Sequence, residues 1–170
     1  VPLGVPPISL AATGGRALAL AGRLADGVRF NELASPDYLR DAIAAVRGAA
    51  TAAGRGLAAL SFFVHPSLVI TDDVERELER KKTTVAYIHA LPGMEKQLQT
   101  PGIDVDRIMT EVRRHMRTEE VLARGGGFAE LRRAGDLAAA KRAIPFELME
   151  RVAVVGSASH VHGRLRELAA

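Results

Sequence analysis

The feature that most constrains this chain is the rhythm of its first 70 residues, where short apolar runs alternate with helical stretches across glycine and proline punctuation. Pro7 to Ala12 is an apolar run bounded by prolines and glycines, which suits a strand. Thr13-Gly14-Gly15-Arg16 then turns into an alanine- and leucine-rich helix from Arg16 to Leu24. Gly27 to Asn31 is the second strand. Ser35-Pro36-Asp37 opens the next helix, with Ser35 as cap and Pro36 at the first helical position. That helix carries Tyr38, Leu39, Ala42, Ile43 and Val46 on one face and stops at Gly54-Arg55-Gly56. Leu57 to Val64 is the third strand, resuming at Ser67 to Ile70 after Pro66. Its near-continuous apolar character predicts burial on both faces. Strands and helices alternating in this way build right-handed βαβ units on a parallel sheet, so the fold class is α/β.

The remainder is mostly helical. Thr71 is the predicted cap of a long helical region, with Asp72, Asp73 and Glu75 placed to suit the positive end of the helix. Val74, Leu78, Val85 and Ile88 keep helical spacing, and Pro92-Gly93 and Pro101-Gly102 interrupt it. Val105, Ile108, Val112 and Met116 mark a second amphipathic helix. Arg124 to Gly127 is a break, and one or two short helices follow between Gly135 and Met149. Val152 to Val155 is a short strand-like run, and Gly156-Ser157 starts a last helix reaching about Leu168. Residues 71–151 thus read as a helical excursion between two parts of a sheet. Three clear strands and one short run do not close a barrel, which takes about eight. The sequence therefore reads as part of an architecture.

Composition narrows the function classes. At 170 residues one domain is the expectation. The absence of cysteine excludes disulfides, thiolate metal sites and cysteine nucleophiles, and fits a cytoplasmic protein. No apolar run approaches a membrane span, and Val1-Pro2-Leu3-Gly4 lacks the features of a signal peptide. The net charge of +3 is spread among acidic residues, and aromatics make up only 4%. Stacking platforms for nucleic acid are therefore scarce, and the basic groups read as solvated helix faces.

The strongest chemical candidate is Thr13-Gly14-Gly15-Arg16. A glycine turn between strand and helix can cradle a phosphate with the Gly14 and Gly15 amides, the Thr13 hydroxyl and the Arg16 guanidinium. The competing reading is an ordinary turn that uses glycine for unusual backbone angles. Asn31 ends the second strand and either contacts a ligand or caps the next turn. His65 ends the third strand, where it is a proton donor, a substrate contact or a structural residue. His160-Val161-His162 is a poor metal pair, because residues two apart on a helix face away from each other. His89 and His115 read as surface residues of helices, and Ser157 as the cap of the last helix. No metal site is expected.

Ser9 to Arg16, Leu20-Ala21, Leu24 to Val28 and Asn31 together resemble the bacterial luciferase-like monooxygenase family of flavin- or deazaflavin-dependent oxidoreductases. Ser35-Pro36, Val69 to Asp73, Ile144-Pro145 with Glu147-Leu148, and Val152 to Ser157 follow in the family's order. The resemblance implies that residues 1–170 are the C-terminal half of a single (β/α)8 TIM barrel. Strands five to seven would be Pro7–Ala12, Gly27–Asn31 and about Leu57–Val64, with 71–151 as the helical insertion. Strands one to four and strand eight would lie outside the chain. It further implies FMN or the deazaflavin coenzyme F-420 as cofactor, with Thr13, Gly14, Gly15 and Arg16 near its phosphate and Asn31 near cofactor or substrate. The implied reaction is hydride transfer or flavin-supported oxygenation of a small organic substrate. The catalytic residues would belong to the other half, so this chain alone is expected to be inactive. A homodimer through the parent barrel is compatible with the resemblance. The alternative is a half-barrel that has lost the cofactor and serves as an interaction or assembly module.

Overall fold

In the computed structural model, which describes Gly4 and residues 6–169, the opening rhythm becomes β1 (Ser9–Ala11), α1 (Gly15–Leu24), β2 (Gly27–Phe30), α2 (Pro36–Ala52) and β3 (Ser61–Val64). The strands form a parallel sheet in the order β1-β2-β3, with Leu10, Val28 and Phe62 side by side and Ala11, Arg29 and Phe63 in the next row. Neighbours in a parallel row point to one face and successive residues alternate. Val28 and Phe30 are accordingly buried, whereas Arg29 between them is exposed. Gly22 lets α1 meet α2: a Cβ there would collide with the Val46 carbonyl and stand 2.8 Å from the Ala49 Cβ. Asp26 ties the N-terminal ends of the strands together. Its carboxylate accepts from the Ile8 N–H at 2.8 Å, and its carbonyl accepts from the Ser61 N–H at 2.9 Å.

These elements belong to one compact unit, comprising the described residues up to Glu32 together with Leu39–His65. A second unit comprises Leu33–Tyr38 and the chain from Pro66 onward. Ser35 in this unit caps α2, its Oγ accepting from the Tyr38 N–H at 3.1 Å and donating to the Gln99 carbonyl at 2.5 Å. β4 (Leu68–Ile70) pairs in parallel with β5 (Val154–Gly156). Between them run α3 (Val74–Thr84), α4 (Val105–Met116), α5 (Thr118–Ala123), α6 (Phe128–Ala134), α7 (Leu137–Arg142) and α8 (Phe146–Val152); α9 (Ala158–Ala169) closes the series. Asp73, Asp104 and Asp136 cap α3, α4 and α7, each carboxylate accepting a backbone N–H three residues on. Leu98, Met109, Met116, Ile144, Leu148 and Met149 form the centre of a closed apolar core.

Charge is handled at the edge of that core. The Lys82 side chain is nearly buried, pairs with Glu79 at 3.0 Å and sits 3.9 Å from the centre of the Phe146 ring. Glu79 also meets Lys141 at 3.1 Å. Burial by itself would raise the Glu79 carboxyl, but hydrogen bonds from Lys82 and Lys141 outweigh it and hold the group below the usual carboxylate range.

Several expectations change. Leu57–Ala59 is a 3-10 turn, so the third strand begins only at Ser61. Ser67 to Ile70 does not prolong that strand; Leu68–Ile70 pairs with β5 in a separate sheet. Continuous apolar sequence did not bring burial on both faces, since Phe63 is 40% exposed and Ile70 61%. Thr71 is not the cap of α3: its hydroxyl accepts from the Asp73 N–H, and Asp73 is the cap. Among the described residues the strands are parallel and no barrel is closed.

Candidate functional site

The candidate residues of the first unit gather at the C-terminal ends of its strands. Two residues beyond the row of Ala11, Arg29 and Phe63, the register puts Thr13, Asn31 and His65 at one level. Parallel α/β sheets carry their ligand sites at this end. α1 starts there with Gly14 as its N-cap residue, which has no side chain to cap the helix. The first turn holds no acidic residue, and Leu18 N–H closes the first backbone bond onto the Gly14 carbonyl at 2.9 Å. The N–H groups ahead of Leu18 therefore lie at the positive end of the helix.

The two glycines are not there for conformation. Gly14 has φ −90° and ψ 152°, an extended backbone that any residue adopts, and Gly15 lies within the helix. Neither is among the residues with positive φ. They are not there for internal packing either, because a Cβ built on Gly14 or Gly15 meets nothing within 4 Å. The turn is thus open to whatever approaches from outside. Arg16 contributes its first-turn backbone, while its side chain lines a groove of about 460 Å³ with Ala19, Arg23, Ala49, Ala52 and Ala53. Asn31 lies exposed just beyond β2.

One residue without any expectation from the sequence joins this face. Arg29 projects from the exposed side of β2, its Nη1 donating to His65 Nε2 at 3.3 Å and its guanidinium lying 4.8 Å from the centre of the Phe63 ring. A charge inside an otherwise apolar strand was the available signal for it.

Other candidates fall elsewhere. His89 is fully buried, not a surface residue as its helical setting suggested, because the π-helical turn Val85–His89 turns Val85, Ala86 and His89 inward. His115 is half-buried on α4, with its ring beside Arg114. Ser157 does cap α9, its Oγ accepting from the His160 N–H at 3.3 Å. His160 and His162 gather no third ligand, and among the described residues no three His, Cys, Asp or Glu side chains are placed to hold a metal ion. No described helix is long and apolar enough to cross a membrane.

Comparison with known proteins decides the family. The sequence matches the luciferase-like monooxygenase family over residues 1–170. The chain belongs to that family. A solved structure of similar fold is the coenzyme F-420 dependent tetrahydromethanopterin reductase from Methanopyrus kandleri, with a TM-score of 0.64 and 21% sequence identity. The match covers 96% of this luciferase-like chain and 42% of the reductase, so the chain spans less than half the length of that relative. At this identity the likeness is one of fold. No curated protein sequence matches the chain. The family comprises flavin- and F-420-dependent oxidoreductases.

Proposed function

We propose that this luciferase-like chain supplies the phosphate-binding part of a flavin- or deazaflavin-dependent oxidoreductase acting on a small organic substrate. On this reading β1, β2 and β3 are strands five, six and seven of a (β/α)8 barrel, and the protein works in the cytoplasm. The observation that carries the reading is the pair of glycines that neither backbone angle nor internal packing requires. Small residues at such a place keep room for a partner that approaches the backbone closely.

The donor set fits a phosphate. Backbone N–H groups at the start of α1 point out of the helix end, Thr13 immediately precedes them in the chain, and no carboxylate in the first turn opposes an anion. Arg16 adds positive charge on the flank, and Asn31 offers an amide at the same level of the sheet. FMN and coenzyme F-420 both carry a phosphate in their side chain, so this part of the site does not discriminate between them. The bound ring would supply the hydride or oxygen chemistry. The role of this chain is to anchor the cofactor tail and to present the open face of the sheet to the reacting parts.

The test compares FMN with riboflavin, which lacks the phosphate. Nitrogen-15 NMR of the chain should show saturable shifts at the Gly14, Gly15, Arg16 and Ala17 amides with FMN and none of that size with riboflavin. Equal responses to the two, or FMN shifts confined to other residues, would remove the phosphate assignment.

A further inference from the structure

The turn that follows β2 carries an unexpected residue at its bend. Glu32 and Leu33 form that turn, and Leu33 has φ 60°. Left-handed backbone at a turn is glycine's place, because a bulky side chain there is strained. Among the described residues one other non-glycine has positive φ. It is Arg117, which ends α4 and gives its N–H to the Arg113 and Arg114 carbonyls, as residues at helix ends do. Leu33 ends no helix.

Its side chain explains the choice. Leu33 is 1% exposed and belongs to the apolar core of the second unit, together with Leu98. Leu98 is the last residue of a 3-10 turn, Met94–Leu98. The backbone beside Leu33 is fastened at the same place: Ser35 donates its N–H to the Gln97 carbonyl at 2.8 Å and its hydroxyl to the Gln99 carbonyl. Leu33, Ser35 and Gln97 are fully buried by this chain itself, so nothing outside it reaches them while these contacts hold. The strap Leu33–Tyr38 accordingly belongs to the second unit, although the chain on either side of it belongs to the first.

Two features oppose the closed strap. One is the left-handed backbone of Leu33. The other is Gln97, whose buried side-chain Oε1 has no hydrogen-bond partner among the described residues. Burying an amide oxygen without a partner forfeits its hydration. Opening relaxes the first and hydrates the second. A segment held by one leucine and two hydrogen bonds against such opposition sits at the low end of local stability.

We infer that Leu33 is the pin of a latch. Closed, the strap holds Leu33 in the core of the second unit. Released, it frees the turn and the rim residue Asn31, two positions ahead in the chain, without unfolding either unit. The latch needs no ligand; only its use as a gate rests on taking the C-terminal ends of β1–β3 as the ligand-binding rim.

The test is native-state hydrogen exchange of the ligand-free chain, read at the Ser35 N–H against the amides of α4. Ser35 should exchange through a local opening, about tenfold or more faster than α4 and with little dependence on denaturant. Leu33→Ala keeps the strain and removes the pin, so Ser35 exchange should rise about tenfold or more. Leu33→Gly removes both and should exchange about threefold to fivefold more slowly than Leu33→Ala, the reverse of their order where φ is negative. Gln97→Met removes the unpartnered oxygen and should slow the opening about threefold. Relaxation dispersion at Asn31 and Glu32 should give the same rate as at Ser35. Ser35 exchange in step with α4, Leu33→Gly exchanging faster than Leu33→Ala, or Gln97→Met opening faster than the unaltered chain would overturn the latch. An Asn31 amide that stays still while Ser35 opens would overturn the gate. Absent FMN shifts at α1 with the Ser35 opening intact would remove the phosphate reading and leave the latch standing.

Discussion

The two units of this chain use glycine and charge in opposite ways. In the second unit Gly93, at φ 85°, occupies left-handed backbone at a turn, where a side chain is strained. In the first unit Gly14 sits at φ −90° with empty space around it. Charge follows the same division. Lys82 in the second unit is nearly buried and answered by Glu79 and the Phe146 ring. Arg29 in the first unit is exposed and lies against the His65 and Phe63 rings. The second unit is built around a closed core, and its special residues serve stability. On the proposed function, the rim of the first unit keeps residues whose use lies outside the fold.

The contrast can be broken by substitutions in either unit. The largest effect is expected in the closed core. Leu148 is fully buried among Ile144, Met149 and their neighbours, so Leu148→Ala should cost about 3 kcal/mol in denaturant unfolding. A loss below about 1 kcal/mol would mean that this core is not close-packed. Next comes the glycine comparison. Gly93→Ala should cost about 1 kcal/mol, because alanine is strained at positive φ. Gly14→Ala should be neutral or stabilise by a few tenths, about 0.5 kcal/mol, by restricting the unfolded chain. Equal losses at the two positions would erase the distinction.

The smallest effect is electrostatic. The Glu79 carboxyl titrates lower in the folded chain than in the unfolded one, so the folded state gains stability above the ordinary carboxylate range. That gain is lost as pH falls through the depressed folded value. Because Glu79 is nearly half exposed, solvent screening limits the contribution to about 0.5 kcal/mol. Glu79→Gln should flatten the acid limb of the stability profile by that amount and leave neutral-pH binding at the rim unchanged.

Much of the first unit was legible in the sequence because its boundaries are written in local chemistry. Pro36 and Ser35 mark the start of α2, and Gly54-Arg55-Gly56 its end, within a residue or two of the observed bounds. The pairing of β4 with β5 was not legible, since it joins segments separated by the whole helical region and nothing local specifies it. The run from Leu57 to Val64 misled because continuous apolar sequence has no period to distinguish a 3-10 turn from a strand. His89 misled because the π-turn changes which residues face inward. At the candidate site, the glycine turn announced itself through composition, but only backbone angles and the space around the missing side chains show that neither positive φ nor packing requires the glycines. Arg29 carried its signal in alternation alone, and only the strand register shows it beside Phe63 and close to His65.

The central claim is that Gly14 is kept for an approaching phosphate and not for the fold. It is tested most directly by measuring thermal stability and FMN-induced amide shifts together in Gly14→Val. The account predicts an unfolding temperature at or near that of the unaltered chain, with the FMN shifts at Gly15, Arg16 and Ala17 lost. Loss of stability together with binding, or full stability with the FMN response intact, would contradict it.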